Sequence, residues 1–163
     1  MREILFRGKR LDNGEWVEGS FLRDGEAHRL VRQEGLPFSD CYIVPKTERD
    51  NVRTYLSQGI LLGVIAYHVD PSTIGQYTGL TDKNGKRIFE GDVVAQSWYD
   101  FYEPADDSFG EVVFYVADCS FSVLDLNKNE IMSIGHGRAC HYEVEIIGNI
   151  HDNPELLEEG NHG

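Results

Sequence analysis

The sequence predicts a mainly β protein: two small β-rich subdomains, the second an SH3-like barrel, with a short C-terminal helix. Three features carry this reading. Asn-Gly pairs stand between apolar segments in each half of the chain, at Asn13-Gly14 and Asn84-Gly85. Short apolar runs alternate with polar residues, as in Tyr142-Glu-Val-Glu-Ile-Ile147, the period of a half-buried strand. Seventeen Gly among 163 residues supply the turns that many short strands need. A chain of this length is one domain by the usual prior and buries roughly two-thirds of its unfolded surface.

The two Asn-Gly pairs belong to a weak internal repeat. Phe6 to Gly19 resembles Tyr77 to Gly91 at an offset of 71 residues, slipping to 72 at Glu18-Gly19 and Glu90-Gly91. Each copy reads as a hairpin with a type I′ turn, which needs positive φ at both central residues. Asp82-Lys-Asn84-Gly85 also begins like a calcium loop but stops short, and hairpin chemistry accounts for it fully.

Trp16 to Leu22 then reads as a strand, turned at Asp24-Gly25 into His28 to Val31. Cys41 to Val44 is a further strand, ended by Pro45. Thr47 to Leu56 has room for one or two helical turns before Gly59. Leu61 to His68 is apolar enough for a buried strand, and Pro71 breaks it. A boundary at Asp70 to Gly75 gives an N-terminal subdomain over 1–70, a barrel over 71–151 and a helix with a loose tail over 152–163.

In the second half, Asp92 to Trp98 is a strand opened by the Glu90-Gly91 turn. An acidic aromatic loop from Tyr99 to Ser108 follows, then strands at Gly110 to Val116 and Ser120 to Leu126. Asn127 to Asn129 turns the chain toward Ile131 to Ile134, and Tyr142 to Ile147 completes the set. Five short strands in about 70 residues suit a small barrel. Asp152 or Asn153 as N-cap, Pro154 at the first helical position and Gly160 as stop outline the terminal helix.

The net charge of −13 is not spread evenly. Residues 1–60 hold 10 Lys+Arg and 10 Asp+Glu, whereas residues 61–163 hold 5 and 18. An acidic half repels phosphate, which excludes nucleic acid as a ligand of that half. Arg2, Arg7, Lys9 and Arg10 against Glu3 make only the N-terminus locally basic. The longest apolar stretch, Ile60 to Ala66, is too short to span a bilayer, and no apolar segment of signal-peptide type follows the N-terminal charges. Cys41, Cys119 and Cys140 are odd in number and far apart, as free thiols in a reducing cytoplasm are.

His136, Cys140 and His141 put three zinc-ligand types within six residues, but no second pair accompanies them, so a polar loop is the better reading. Asp100, Glu103, Asp106 and Asp107 offer hard oxygen ligands without the calcium-loop ladder and read as a solvated acidic loop. No nucleophile elbow, phosphate loop or dinucleotide fingerprint occurs, and Cys140 beside His141 on a strand would face opposite ways. Neither catalytic residues nor cofactors are therefore expected. Trp98, Tyr99, Phe101, Tyr102, Glu103, Asp106 and Asp107 are the candidate interaction surface, because aromatics at this density in a turn-rich loop suit a contact face. Alternatively, alternate aromatics among them fill the barrel core.

Arg2 to Arg7, Gly14 to Gly19, Val69 to Lys86, Ile88 to Val94, Val144 to Ile150 and Asn153 to Leu156 together resemble the YopX family. The resemblance implies a small phage or prophage product, β-rich with two subdomains, in the cytoplasm of a bacterial host, and it implies no particular reaction. The Asp100 to Ser108 loop departs from the family in length and acidity, and Pro45 to Tyr67 shows no family pattern. The expectation is a non-enzymatic accessory protein acting through protein contacts, as a homo-oligomer and with a host protein as a further partner. An acidic mimic of DNA that occupies a host DNA-binding protein is the alternative. Direct nucleic-acid binding through the basic N-terminus comes third, and no membrane partner is expected.

Overall fold

A computed structural model of the chain describes residues 3–23, 41–45, 66–99, 107–117, 119–125, 127, 129–134 and 141–158. Within them every strand pairing is antiparallel, in two sheets. The chain divides into two units, Met1–Gln76 and Tyr77–Gly163.

In the first unit β1 (Phe6–Lys9), β2 (Trp16–Arg23), β3 (Cys41–Pro45) and β4 (Tyr67–Val69) lie in the order β4-β3-β2-β1. Gly75 and Gln76, which begin β5 (Gly75–Thr81), pair with Arg7 and Phe6. The end of β1 also returns to β4. Arg10 bridges Val69, Leu11 N donates to His68 O at 3.0 Å, and Asp70 N donates to Lys9 O at 2.8 Å. Val17, Cys41, Ile43 and Val69 form the core, with Phe6, Phe21, Tyr67 and Ile74 packed on it. Gly8 is what lets β1 lie this close: a Cβ there would stand 3.1 Å from Val69 Cβ and 3.3 Å from Ile43 Cδ1. A 3₁₀ turn, Pro71–Thr73, is capped by Asp70, whose carboxylate accepts from Ser72 N at 2.9 Å.

The second unit carries the rest of β5, paired with β6 (Arg87–Phe89), and a five-stranded sheet. Its strands are β7 (Asp92–Tyr99), β8 (Asp107–Tyr115), β9 (Ser120–Leu124), β10 (Glu130–Ser133) and β11 (His141–Asn149), in the order β10-β9-β8-β7-β11. The register sets Val112 opposite Val123 and Ile146 opposite Val94. Cross-strand pairs of β-branched residues pack well on a pleated face. With Ile88, Val144 and Ile134 they form the unit's core. Gly91 ties the sheet together, donating to Val112 O and accepting from Ile150 N, both at 2.9 Å.

Three expectations, on the Asn-Gly turns, the barrel and the terminal helix, need correction. The Asn-Gly turns are longer loops in which glycine alone is left-handed, with φ of 74° at Gly14 and 81° at Gly85. Side chains replace the tight turn: Asn13 Oδ1 accepts from Glu15 N, and Asp82 Oδ1 accepts from Asn84 N and Lys86 N. Second, the described strands of the second unit form an open sheet, with no pairing between β10 and β11 that would close an SH3-like barrel. The β5–β6 turn hydrogen-bonds the β11 edge instead, as described below. Third, the C-terminal helix is one 3₁₀ turn, Pro154–Leu157, and Asn153 makes no side-chain cap bond. The internal repeat holds as two antiparallel hairpins, β1–β2 and β5–β6, but not in the detail of their strands. Gly8 is buried between strands, while its counterpart Gly79 is exposed with φ of 91° at a register shift. β8 begins at Asp107, three residues before the expected Gly110, so the end of the acidic loop is strand. The strand expected at His28 to Val31, the helical turns at Thr47 to Leu56 and the start of the Leu61 strand lie outside the described residues.

Candidate functional site

Of the residues expected to form a contact surface, Trp98 and Tyr99 end β7, paired with Tyr142 and His141, and Asp107 opens β8 opposite Ser97. Phe101, Tyr102, Glu103 and Asp106 lie outside the described residues, as do Asp100, His136 and Cys140. Among the described residues no three His, Cys, Asp or Glu side chains gather as a metal site requires. Phe109, Phe114, Val116 and Ile147 are exposed on or beside this sheet, Phe114 meeting Phe121 edge-on at 5.4 Å between centroids.

A different set of residues builds a cleft. The β5–β6 turn folds against β11: Lys83 N donates to Val144 O at 2.8 Å, and Ile146 N donates to Asp82 Oδ2 at 3.3 Å. The same carboxylate closes its own turn through Oδ1, with the N–H groups of Asn84 and Lys86 both at 2.9 Å. Asp82 is 6% exposed. Burial alone raises its pKa, but the N–H groups of Lys86, Ile146 and Asn84 outweigh this and hold the carboxyl below its ordinary range. At neutral pH it is a fixed negative charge.

Beside this turn lies a cleft of about 310 Å³. Leu80, Ile88, Ile134 and Val144 make it apolar, and Asp82, Lys83 and Glu143 make it charged. Lys83 Nζ stands 2.6 Å from the Glu145 carboxylate, so the one cation among these lining residues already has a counter-ion. The size lies at the small end of ligand-binding clefts, and an apolar wall with a few fixed polar groups is their usual make-up. One step across the sheet from Val144, Gln96 is fully buried, with neither amide atom hydrogen-bonded. Its other cross-strand neighbour, Ser108, likewise has a buried, unpartnered hydroxyl.

Charge separates the two units. Residues 1–76 hold 10 Lys+Arg and 11 Asp+Glu, a net of −1; residues 77–163 hold 5 and 17, a net of −12. Arg7, Lys9 and Arg10, the described cations near the start of the chain, are committed within the first unit. Arg7 is buried with its guanidinium carbon 4.7 Å from the Trp16 ring centre, and Lys9 Nζ stands 5.5 Å from the same ring. Arg10 lies 3.9 Å over Tyr67 and donates to Asp12 at 2.9 Å. That bond raises the Arg10 pKa and lowers that of Asp12.

Sheets, units and cleft together define a small, mainly β protein of two antiparallel sheets, with its acidity concentrated in the second unit. The chain belongs to the YopX protein family, whose model matches residues 5–158, nearly its whole length. No curated protein matches it. Among the described residues no helix is long and apolar enough to cross a membrane.

Proposed function

We propose that this YopX-family chain is a non-enzymatic accessory protein of phage or prophage origin, working in the bacterial cytoplasm through protein contacts and assembling with itself. The state of the sheet edges is the observation that supports self-assembly. Arg10 and Leu11 occupy the outer edge of β4, and Asp82 and Lys83 occupy part of that of β11. Among the described residues nothing pairs with the outer edge of β10. An open strand edge presents N–H and C=O groups to another strand, and two-fold pairing of one strand with its copy gives the simplest closed assembly. In this reading the second unit is an opened derivative of an SH3-like barrel. A non-catalytic role draws support from the carboxylates held at low pKa: Asp82 and Asp125 close turns, and Asp12 binds Arg10. Light scattering at several concentrations tests the assembly. A mass above 18.5 kDa that rises with concentration is expected, and a constant 18.5 kDa removes self-assembly.

The net of −12 on the second unit favours a second reading, an acidic surface that takes a basic host DNA-binding protein in place of DNA. Salt-sensitive capture of such a protein is expected. Capture that survives unchanged in molar salt counts against it.

A further inference from the structure

We propose that the cleft beside the β5–β6 turn binds a short basic segment of a partner protein, an aliphatic side chain flanked by lysine or arginine. The proposal rests on the second reading and gives it a location. Leu80 is 38% exposed at the cleft although it is a large aliphatic residue, so it has apolar surface left to bury. Beside it stand the carboxylates of Asp82 and Glu143, while Lys83 is matched by Glu145. An acidic peptide or a phosphate-bearing ligand meets repulsion here, reinforced by the charge of the whole unit. A neutral apolar ligand would fill the wall yet leave the exposed Glu143 carboxylate without a counter-charge, the buried Asp82 being held already by three backbone N–H groups. Lysine meets both demands, because its aliphatic stem runs along an apolar wall while its ammonium reaches a carboxylate. Val144 O and Ile146 N are already bound by Lys83 and Asp82. The partner is therefore read through its side chains and not by strand addition at that point.

The test uses the whole chain and a fluorescein-labelled hexapeptide that alternates lysine with isoleucine, followed by fluorescence anisotropy. Saturable binding that weakens as salt rises is expected, with amide shifts at Leu80 to Lys83 and at Glu143 and Val144. Glu143→Lys and Leu80→Ser, both at exposed positions, should each weaken it by about tenfold or more, the scale of one lost ion pair or apolar contact. Glu155→Lys makes the same charge change on the exposed 3₁₀ turn and should stay within about twofold. Equal loss from Glu143→Lys and Glu155→Lys means bulk charge alone and overturns the site. So does equal binding of a peptide with glutamate in place of lysine, or no saturation by about 1 mM. Capture of a basic DNA-binding protein that persists in Glu143→Lys removes the cleft and leaves the acidic-surface reading standing. Absence of any such capture by the unaltered chain removes that reading.

Discussion

Asp82 joins a turn to a strand 64 residues away, and replacing it measures how far the second unit depends on that link. Asp82→Ala deletes three hydrogen bonds to a charged acceptor. Each such bond contributes about 1.5–3 kcal/mol when its donor has no alternative. Asn84 and Lys86 are exposed, so water can take over their N–H groups; Ile146 is half-buried and its bond is long. The expected loss is therefore about 2–4 kcal/mol, below the simple sum. At about 3 kcal/mol, a chain of this size loses roughly 6–12 °C of Tm. Asp82→Asn should cost about half as much, since an amide oxygen still serves the turn while its NH₂ confronts Ile146 N–H. The folded carboxyl titrates below its unfolded value of about 3.9, so its contribution is fully present above that pH and lost as pH falls through the folded value. Urea unfolding of wild type and both variants, at neutral pH and again near pH 3, reads all of this. A loss in Asp82→Ala under about 0.5 kcal/mol would refute the reasoning, as would a wild-type advantage over Asp82→Asn that does not shrink in acid.

Other changes probe the packing and the surface. Gly110→Ala would drive a Cβ into the Leu124 carbonyl, and its Cβ would also stand 2.8 Å from Val123 Cγ1. A loss of about 3 kcal/mol or more by chemical denaturation is expected, and a stable, wild-type-like variant contradicts the close β8–β9 approach. Gln96→Met keeps the volume and removes two buried unpaired polar atoms, so unfolding should show a gain of about 1–2 kcal/mol; a comparable loss would mean that the amide has a partner. Lys83 and Glu145 are each 42% exposed, so Glu145→Gln should change stability by less than about 1 kcal/mol in the same assay. Raising salt should strengthen self-assembly, because it screens the net −12 of each second unit. Sedimentation at low and high salt checks the sign, which is opposite to that expected for a basic partner.

Much of the strand pattern was legible because alternation is a local property. Tyr142 to Ile147 carries it, Trp16 to Leu22 and Asp92 to Trp98 were marked by short apolar runs next to turn residues, and all three lie in strands. The family was legible as well, since its segments run almost the whole length of the chain. The turns were half legible. Glycine marks the left-handed residue, but only the neighbouring Asn13 and Asp82 side chains, bonded to the backbone, decide the loop shape. Barrel closure was not legible, because it depends on what reaches the β11 edge, and Lys83 reaches it from far away in sequence. The cleft was hidden for the same reason. Leu80, Ile134 and Val144 come from separate stretches of the chain, and Asp82 read alone is fully explained by its own turn.

Self-assembly through β10 is tested most directly by amide chemical shifts recorded over a series of protein concentrations. Shifts that move with concentration at Glu130 to Ser133, and move further as salt rises, are the predicted result. Shifts independent of concentration, or changes confined to the first unit, would contradict it.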